Sequence, residues 1–195
     1  MTRIGVILGS TRQGRNGELV ADWVTGIAAA RHDAEFELVD LRNHPLPHLG
    51  EVNRRGTDET EALVSSWGRT ISSFDGFVIV TPEYNHSIPG VLKNAIDHLQ
   101  AEWHNKAVGI VSYGGLGGAR AAEHLRLIAG ELQMADVRQQ VALSLMTEFS
   151  FGPEGAQLRP GPYNTAALNT LLDQVVSWSE ALAHLRAPGV RPDAA

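Results

Sequence analysis

The chain has 195 residues, a formal net charge of −6 and no cysteine. That length buries a substantial core without a covalent or metal staple. The missing thiol excludes cysteine nucleophiles, Cys-ligated zinc, iron–sulfur clusters and disulfides. The acidic residues are dispersed, and no Lys/Arg-rich block alternates with aromatics, so no nucleic-acid partner is expected. No apolar run approaches bilayer-spanning length and no basic, apolar leader precedes the first strand, so the expectation is a soluble, cytoplasmic protein with no membrane partner.

Ile4 to Leu8 form a short apolar run, predicted as a strand, that breaks straight into Gly9-Ser10-Thr11-Arg12-Gln13-Gly14-Arg15-Asn16-Gly17. A helical pattern follows from Gly17 to Ala30. Small hydrogen-bonding residues and arginines at a helix N-terminus offer N–H groups, hydroxyls and positive charge to an anion, best a phosphate. Gly9 and Gly14 have the separation of a P-loop, but Arg15 and Asn16 stand where its lysine and magnesium-binding hydroxyl belong. What remains is a metal-free monophosphate cradle of Ser10, Thr11 and the loop amides, with Arg12 or Arg15 as charge partner. The alternative is a plain strand-to-helix turn with solvated arginines.

A second strand is predicted over Glu35 to Asp40, then an irregular surface excursion from Arg42 to Gly56 with Pro45 and Pro47, then a helix from Thr60 to Ser72. The third strand, Phe77 to Thr81, leads into Pro82-Glu83-Tyr84-Asn85-His86-Ser87-Ile88-Pro89 and a helix over Gly90 to Leu99. Two prolines make this loop stiff. It could present main-chain groups to a flat polar ring with Tyr84 packed beside it; the alternative is ordinary capping and loop closure by Tyr84, Asn85 and His86.

The fourth strand, Ala107 to Ser112, runs into Ser112-Tyr113-Gly114-Gly115-Leu116-Gly117-Gly118 and a helix from Ala119 to Leu132. Its glycines let backbone approach a ligand closely, and the helix start favours a ring that gains electron density on reduction. As a dinucleotide fingerprint it fails, because the third glycine would fall on Arg120. A fifth strand is predicted over Arg138 to Leu143, a Gly/Pro-rich loop over Ser150 to Gly161 that covers a neighbouring site or subunit, a last helix over Asn164 to Leu185, and a frayed tail from Ala187. Strands alternating with helices imply an α/β fold with a parallel sheet covered on both faces. The three polar loops then share the C-terminal edge of that sheet, where ligands bind.

Other chemistries find little footing. There is no GxSxG elbow. His44 and His48 are separated by two prolines on an irregular loop, so no metal site is expected there. His98, His124 and His184 read as surface or interface residues, and Trp23, Trp67 and Trp178 as helix packing.

Together, GSTRQGRNG, TPEYNHSIPGVLKNAIDHL and SYGGLGGARAAEHLR resemble the NAD(P)H-dependent FMN reductase family, which includes quinone, azo-dye and chromate reductases. The resemblance runs from about Arg3 to Leu185. It implies a flavodoxin-like, doubly wound five-stranded sheet of order 2-1-3-4-5, one flavin-binding domain over residues 1–186 and a flexible tail over 187–195. FMN is the implied cofactor and NADPH or NADH the co-substrate. Hydride would pass through flavin N5 to a small-molecule acceptor such as a quinone, azo compound, chromate or free flavin, with no obligate catalytic side chain. On the matching positions Ser10, Thr11, Arg12, Arg15, Asn16 and Gly17 would lie around the FMN phosphate. Pro82, Glu83, Tyr84 and Asn85 would contact the isoalloxazine; Ser112, Tyr113, Gly114 and Gly117 would lie near its pyrimidine side. Many relatives carry serine at the position of Arg15 and asparagine at that of Gly17. The family also implies a homodimer or homotetramer. The rival from another class is a flavodoxin-like electron carrier without NAD(P)H turnover; a magnesium-dependent NTPase is a third possibility, set against the missing P-loop lysine.

Overall fold

Strands β1 (Thr2–Leu8), β2 (Ala34–Asp40), β3 (Gly76–Pro82), β4 (Ala107–Gly114) and β5 (Ala135–Ser144) pair in parallel in the order β2-β1-β3-β4-β5. A computed structural model describes residues 1–51 and 58–187 of the chain, and of Asp58 only the backbone. The central strands β3 and β4 are buried along their whole length, because helices cover both of their faces.

Those helices are α1 (Gly17–Ala28), α2 (Asp58–Ser72), α3 (Gly90–Asp97), α4 (Ala119–Glu131) and α5 (Pro162–Leu182). Val20, Val24, Leu168, Leu171 and Val175 of α1 and α5 close one face over Ile4, Val6, Val78 and Val111. Trp67, Ile71, Leu92, Ile96 and Leu125 of α2, α3 and α4 close the other over Ile7, Phe77, Ile79 and Ile110. The alternation of strand side chains between these two clusters is the two-residue period of a strand buried on both sides. Close approach of α5 depends on a missing side chain: a Cβ on Gly109 would lie 2.6 Å from Leu171.

Several elements differ from the expectation. Strands β4 and β5 run longer, since the ladder continues through Tyr113↔Leu143 and Gly114↔Ser144. The segment Ser150 to Gly161, expected as an irregular loop, is mostly an antiparallel hairpin of β6 (Phe149–Gly152) and β7 (Gly155–Leu158), with Gly155 at φ 103° serving its turn. Trp67 is core, its Nε1 donating to Ala95 O at 2.7 Å, and Trp23 packs against the first cluster. Trp178 is 46% exposed on α5 and does not serve as core packing. Of the excursion expected over Arg42 to Gly56, residues 52–56 lie outside the described residues, as do residues 188–195 of the tail. Among the described residues no helix is long and apolar enough to cross a membrane.

Candidate functional site at the C-terminal edge of the sheet

The first loop leaves β1 with Gly9 N still donating to Val80 O at 2.9 Å, which sets it beside the end of β3. Ser10 is buried, and its Oγ lies 3.0 Å from Tyr84 Oη, joining the first loop to the second. Gly14 takes the left-handed φ of 66°, and helix α1 begins after Asn16, whose side chain makes no capping bond. Among the described residues, the amides of Gln13, Gly14, Asn16 and Gly17 donate to no acceptor in the fold. Unpaired amides at a helix start form an anion-binding concavity.

The three arginines around this loop serve different ends. The Arg15 side chain is 1% exposed and forks onto Asp40, with Nη1 to Oδ1 at 2.8 Å and Nη2 to Oδ2. Its Nε donates to Glu18 Oε1 at 3.2 Å and its Nη1 also takes Ser10 O. Arg42 bonds Arg12 O at 2.6 Å, Thr11 O at 3.4 Å and Glu18 Oε1 at 2.6 Å. Arg12, exposed, has no side-chain ion pair among the described residues. Asp40 and Arg42, which the sequence reading did not connect with the site, are therefore part of its frame. Their only sequence signal is Asp40's place as the last residue of β2, opposite Leu8 at the same sheet edge.

The second loop is tied down at both ends. Glu83 N donates to Tyr113 O at 2.9 Å, and Tyr84 and Ser87 exchange two backbone bonds of 2.9 and 3.1 Å. Between them Asn85 and His86 have φ of 48° and 70°, the signature of a tight primed turn, so both residues are occupied in closing the loop. The Glu83 carboxylate turns inward. It accepts from Arg120 N at 3.0 Å, Nε at 2.7 Å and Nη2, while Arg120 Nη1 meets His86 Nε2 at 3.0 Å. Hydrogen bonds from Arg120 outweigh the cost of burial and hold the Glu83 carboxyl below its ordinary range.

The third loop is packed and internally bonded. Ser112 Oγ, fully buried, donates to Gly117 O at 2.7 Å and accepts from Gln140 Nε2 at 3.3 Å. Gly117 and Gly118 have φ of 68° and 73°. The Ser112 and Tyr113 side chains serve different ends. The first braces the loop from below, and the second crosses to the first loop, where a Cβ on Gly17 would lie 2.7 Å from Tyr113 Oη. That contact accounts for glycine at position 17. Tyr113 is 4% exposed, its hydroxyl has no hydrogen-bond partner among the described residues, and burial pushes its pKa up, so it stays a protonated donor.

A hollow of about 160 Å³ joins the three loops. Arg12, Gly14, Arg15 and Asn16 line it from the first, Pro82, Glu83 and Tyr84 from the second, Tyr113 and Gly114 from the third, with Leu145 beside them. Thr11 instead faces a neighbouring depression of about 360 Å³ with Arg42 and His44. His44 packs on Trp67 with ring centroids 4.9 Å apart, and burial lowers its pKa. A depression of about 650 Å³ beside β2 touches none of the three loops.

The family described as NADPH-dependent FMN reductase matches residues 2–148. An NAD(P)H-dependent FMN reductase of Schizosaccharomyces pombe is 41% identical over 146 residues, covering 73% of each chain. A 2-hydroxy-1,4-benzoquinone reductase of a Burkholderia species is 32% identical over 144 residues, covering 70% of this chain and 75% of the relative. Among solved structures, a flavoenzyme NAD(P)H:(acceptor) oxidoreductase from Paracoccus denitrificans superposes with a TM-score of 0.70 at 22% identity, covering 93% of this chain and 98% of that one. At that identity the likeness is one of fold, and the fold is flavodoxin-like.

Proposed function

Since the chain belongs to the NADPH-dependent FMN reductase family and is an FMN-dependent NAD(P)H oxidoreductase, we propose that the hollow joining its three loops is where FMN sits. One observation carries this reading: Gly14 and Asn16, whose amides are unpaired, and Tyr113, whose buried hydroxyl is unpartnered among the described residues, line the same hollow. A buried donor without an acceptor is costly, and a phosphate or ribityl oxygen would satisfy it. The residues present thus fit the group.

In this reading the amides of Gln13, Gly14, Asn16 and Gly17 hold the phosphate and Arg12 supplies the charge. Ser10 and Tyr84, bonded to each other, line the passage from phosphate to ring. Pro82 and Glu83 offer backbone to the ring edge, and the Glu83 side chain, turned away to Arg120, keeps that backbone in place. The third loop forms a rigid floor at Gly114, where a Cβ would lie 3.2 Å from Glu83 Cβ. Thr11, Asn85, Ser112 and Gly117 act through loop shape.

When bound, FMN supplies the two-electron chemistry between NAD(P)H and an acceptor. The protein's share is orientation, water exclusion and fixed dipoles at the ring. No side chain of the hollow is required to move a proton. The Burkholderia relative supports a quinone as acceptor; azo compounds, chromate and free flavin are further candidates. Exposed Leu116, Met146 and Phe151 on the loops and hairpin at this sheet edge support a homodimer or homotetramer. Residues 1–186 act as one flavin-binding domain in the cytoplasm, where NAD(P)H is supplied.

The test is the visible spectrum and released flavin of the purified protein, followed by steady-state NAD(P)H oxidation with a benzoquinone. A flavin spectrum, FMN on release and quinone-dependent turnover are expected. A colourless protein that takes up no added FMN would overturn the cofactor site.

A further inference from the structure

We infer that Arg15 and Asp40 are positioning residues for the FMN phosphate: they do not touch it, but together with Glu18 and Arg42 they form the frame that sets the direction of the first loop's peptides, among them the one that carries the Gln13 amide. This deepens the proposed function and rests on its assignment of the first loop to the phosphate. Sequence alone makes Arg15 a phosphate ligand or a solvated neighbour, and the geometry makes it neither. Its side chain is 1% exposed, and Nε, Nη1 and Nη2 are all engaged by Glu18, Asp40 and Ser10 O. Withdrawing it to reach a ligand would leave the Asp40 carboxylate, itself only 19% exposed, without its fork partner.

What the pair does follows from the peptide bond. In a trans peptide the C=O and the next N–H point in opposite directions. Arg15 holds Ser10 O, and Arg42 holds Thr11 O and Arg12 O. The N–H groups of Thr11, Arg12 and Gln13 are therefore turned to the other side of the loop. The Arg12 amide bears this out by pointing at Ser10 Oγ, 3.4 Å away. Arg15 and Arg42 are themselves linked through Glu18 Oε1 and through Asp40, whose Oδ1 also accepts from Arg42 N at 2.9 Å. Two arginines and two carboxylates form a neutral frame behind the loop, rooted at the end of β2. The frame adds orientation without net charge, and Arg12 is left to supply the charge.

Comparing FMN with riboflavin isolates the phosphate. Binding of each would be measured by flavin fluorescence quenching on the flavin-free protein, for the wild type and for Arg15→Ala, Arg15→Lys, Asp40→Ala and Asp40→Asn, with a thermal melt of each variant. Arg15→Ala and Asp40→Ala are each expected to weaken FMN about tenfold while leaving riboflavin within about twofold. Asp40→Asn, nearly isosteric, should show a smaller loss of the same kind, and Arg15→Lys should recover part of it by reaching one acceptor. Asp40→Ala is decisive, since it raises the local positive charge: tighter FMN binding would mean that a freed Arg15 is a direct ligand and would overturn the inference. An unchanged ratio of FMN to riboflavin affinity in the Asp40 variants would overturn it too. A wild type that binds FMN no better than riboflavin would instead overturn the phosphate assignment, and the inference with it.

Discussion

The first and third loops have the same sequence character, a glycine-rich passage from strand end to helix start, and opposite internal economies. In the third loop the carbonyls of Gly114, Gly115, Gly117 and Gly118 are all taken by groups of the fold. Gly118 is there because backbone crowds it, with an added Cβ only 2.8 Å from Tyr113 N. In the first loop, arginine side chains take the carbonyls of Ser10, Thr11 and Arg12, and the amides of Gln13, Gly14, Asn16 and Gly17 stay unpaired among the described residues. One loop is a finished floor; the other is a cradle completed by its ligand. Glycine richness alone does not tell them apart, and the partners of the carbonyls do.

The largest expected effect separates Gly118 from Gly14, one glycine of each loop with a left-handed φ. Gly118→Ala should cost about 3 kcal/mol or more, from strain plus a backbone collision. Gly14→Ala at φ 66°, with nothing within 4 Å of the added Cβ, should cost only about 1 kcal/mol. Chemical denaturation of both variants checks this, and equal losses would break the comparison.

Tyr113→Phe tests where the two loops meet. Removing a buried, unpartnered hydroxyl should raise the stability of the flavin-free protein by about 1 kcal/mol and lower FMN affinity about tenfold. Opposite signs in a melt and a binding titration are the expected outcome. Arg12→Ala should lower FMN affinity by a similar factor while moving stability by no more than about 0.5 kcal/mol, because this arginine holds nothing else in place.

The smallest effect is in pH. Burial raises the Asp40 pKa, but the Arg15 hydrogen bond and the Arg42 amide outweigh it, and the net shift is down; Glu83 is lowered by Arg120. A carboxyl with a lowered folded pKa stabilises fully above its unfolded value and loses that contribution as pH falls through the folded one. Both braces should therefore be intact from neutral pH down to about pH 4 and fail below it. Asp40→Asn and Glu83→Gln should each flatten part of the acid limb in a stability-versus-pH series, and a limb that both leave unchanged would show that the braces do not depend on these ion pairs.

The strand order and the gathering of three loops at one sheet edge were legible in the sequence, because short apolar strands alternating with helices admit few topologies. Family membership was legible in the same three loops. The hairpin after β5 was less so, since Ser150 to Gly161 lacks the regular alternation that marks a strand.

Side-chain direction was decided only by the tertiary structure. Whether Arg15 faces a ligand depends on Asp40, which is 25 residues away along the chain and arrives through the β1–β2 ladder. Why position 17 is glycine depends on Tyr113, brought across the sheet from β4. Local sequence determines which groups a loop can offer, because its residues and backbone are its own. It does not determine which of them stay free, because their partners are assigned by contacts that exist only once the sheet has assembled.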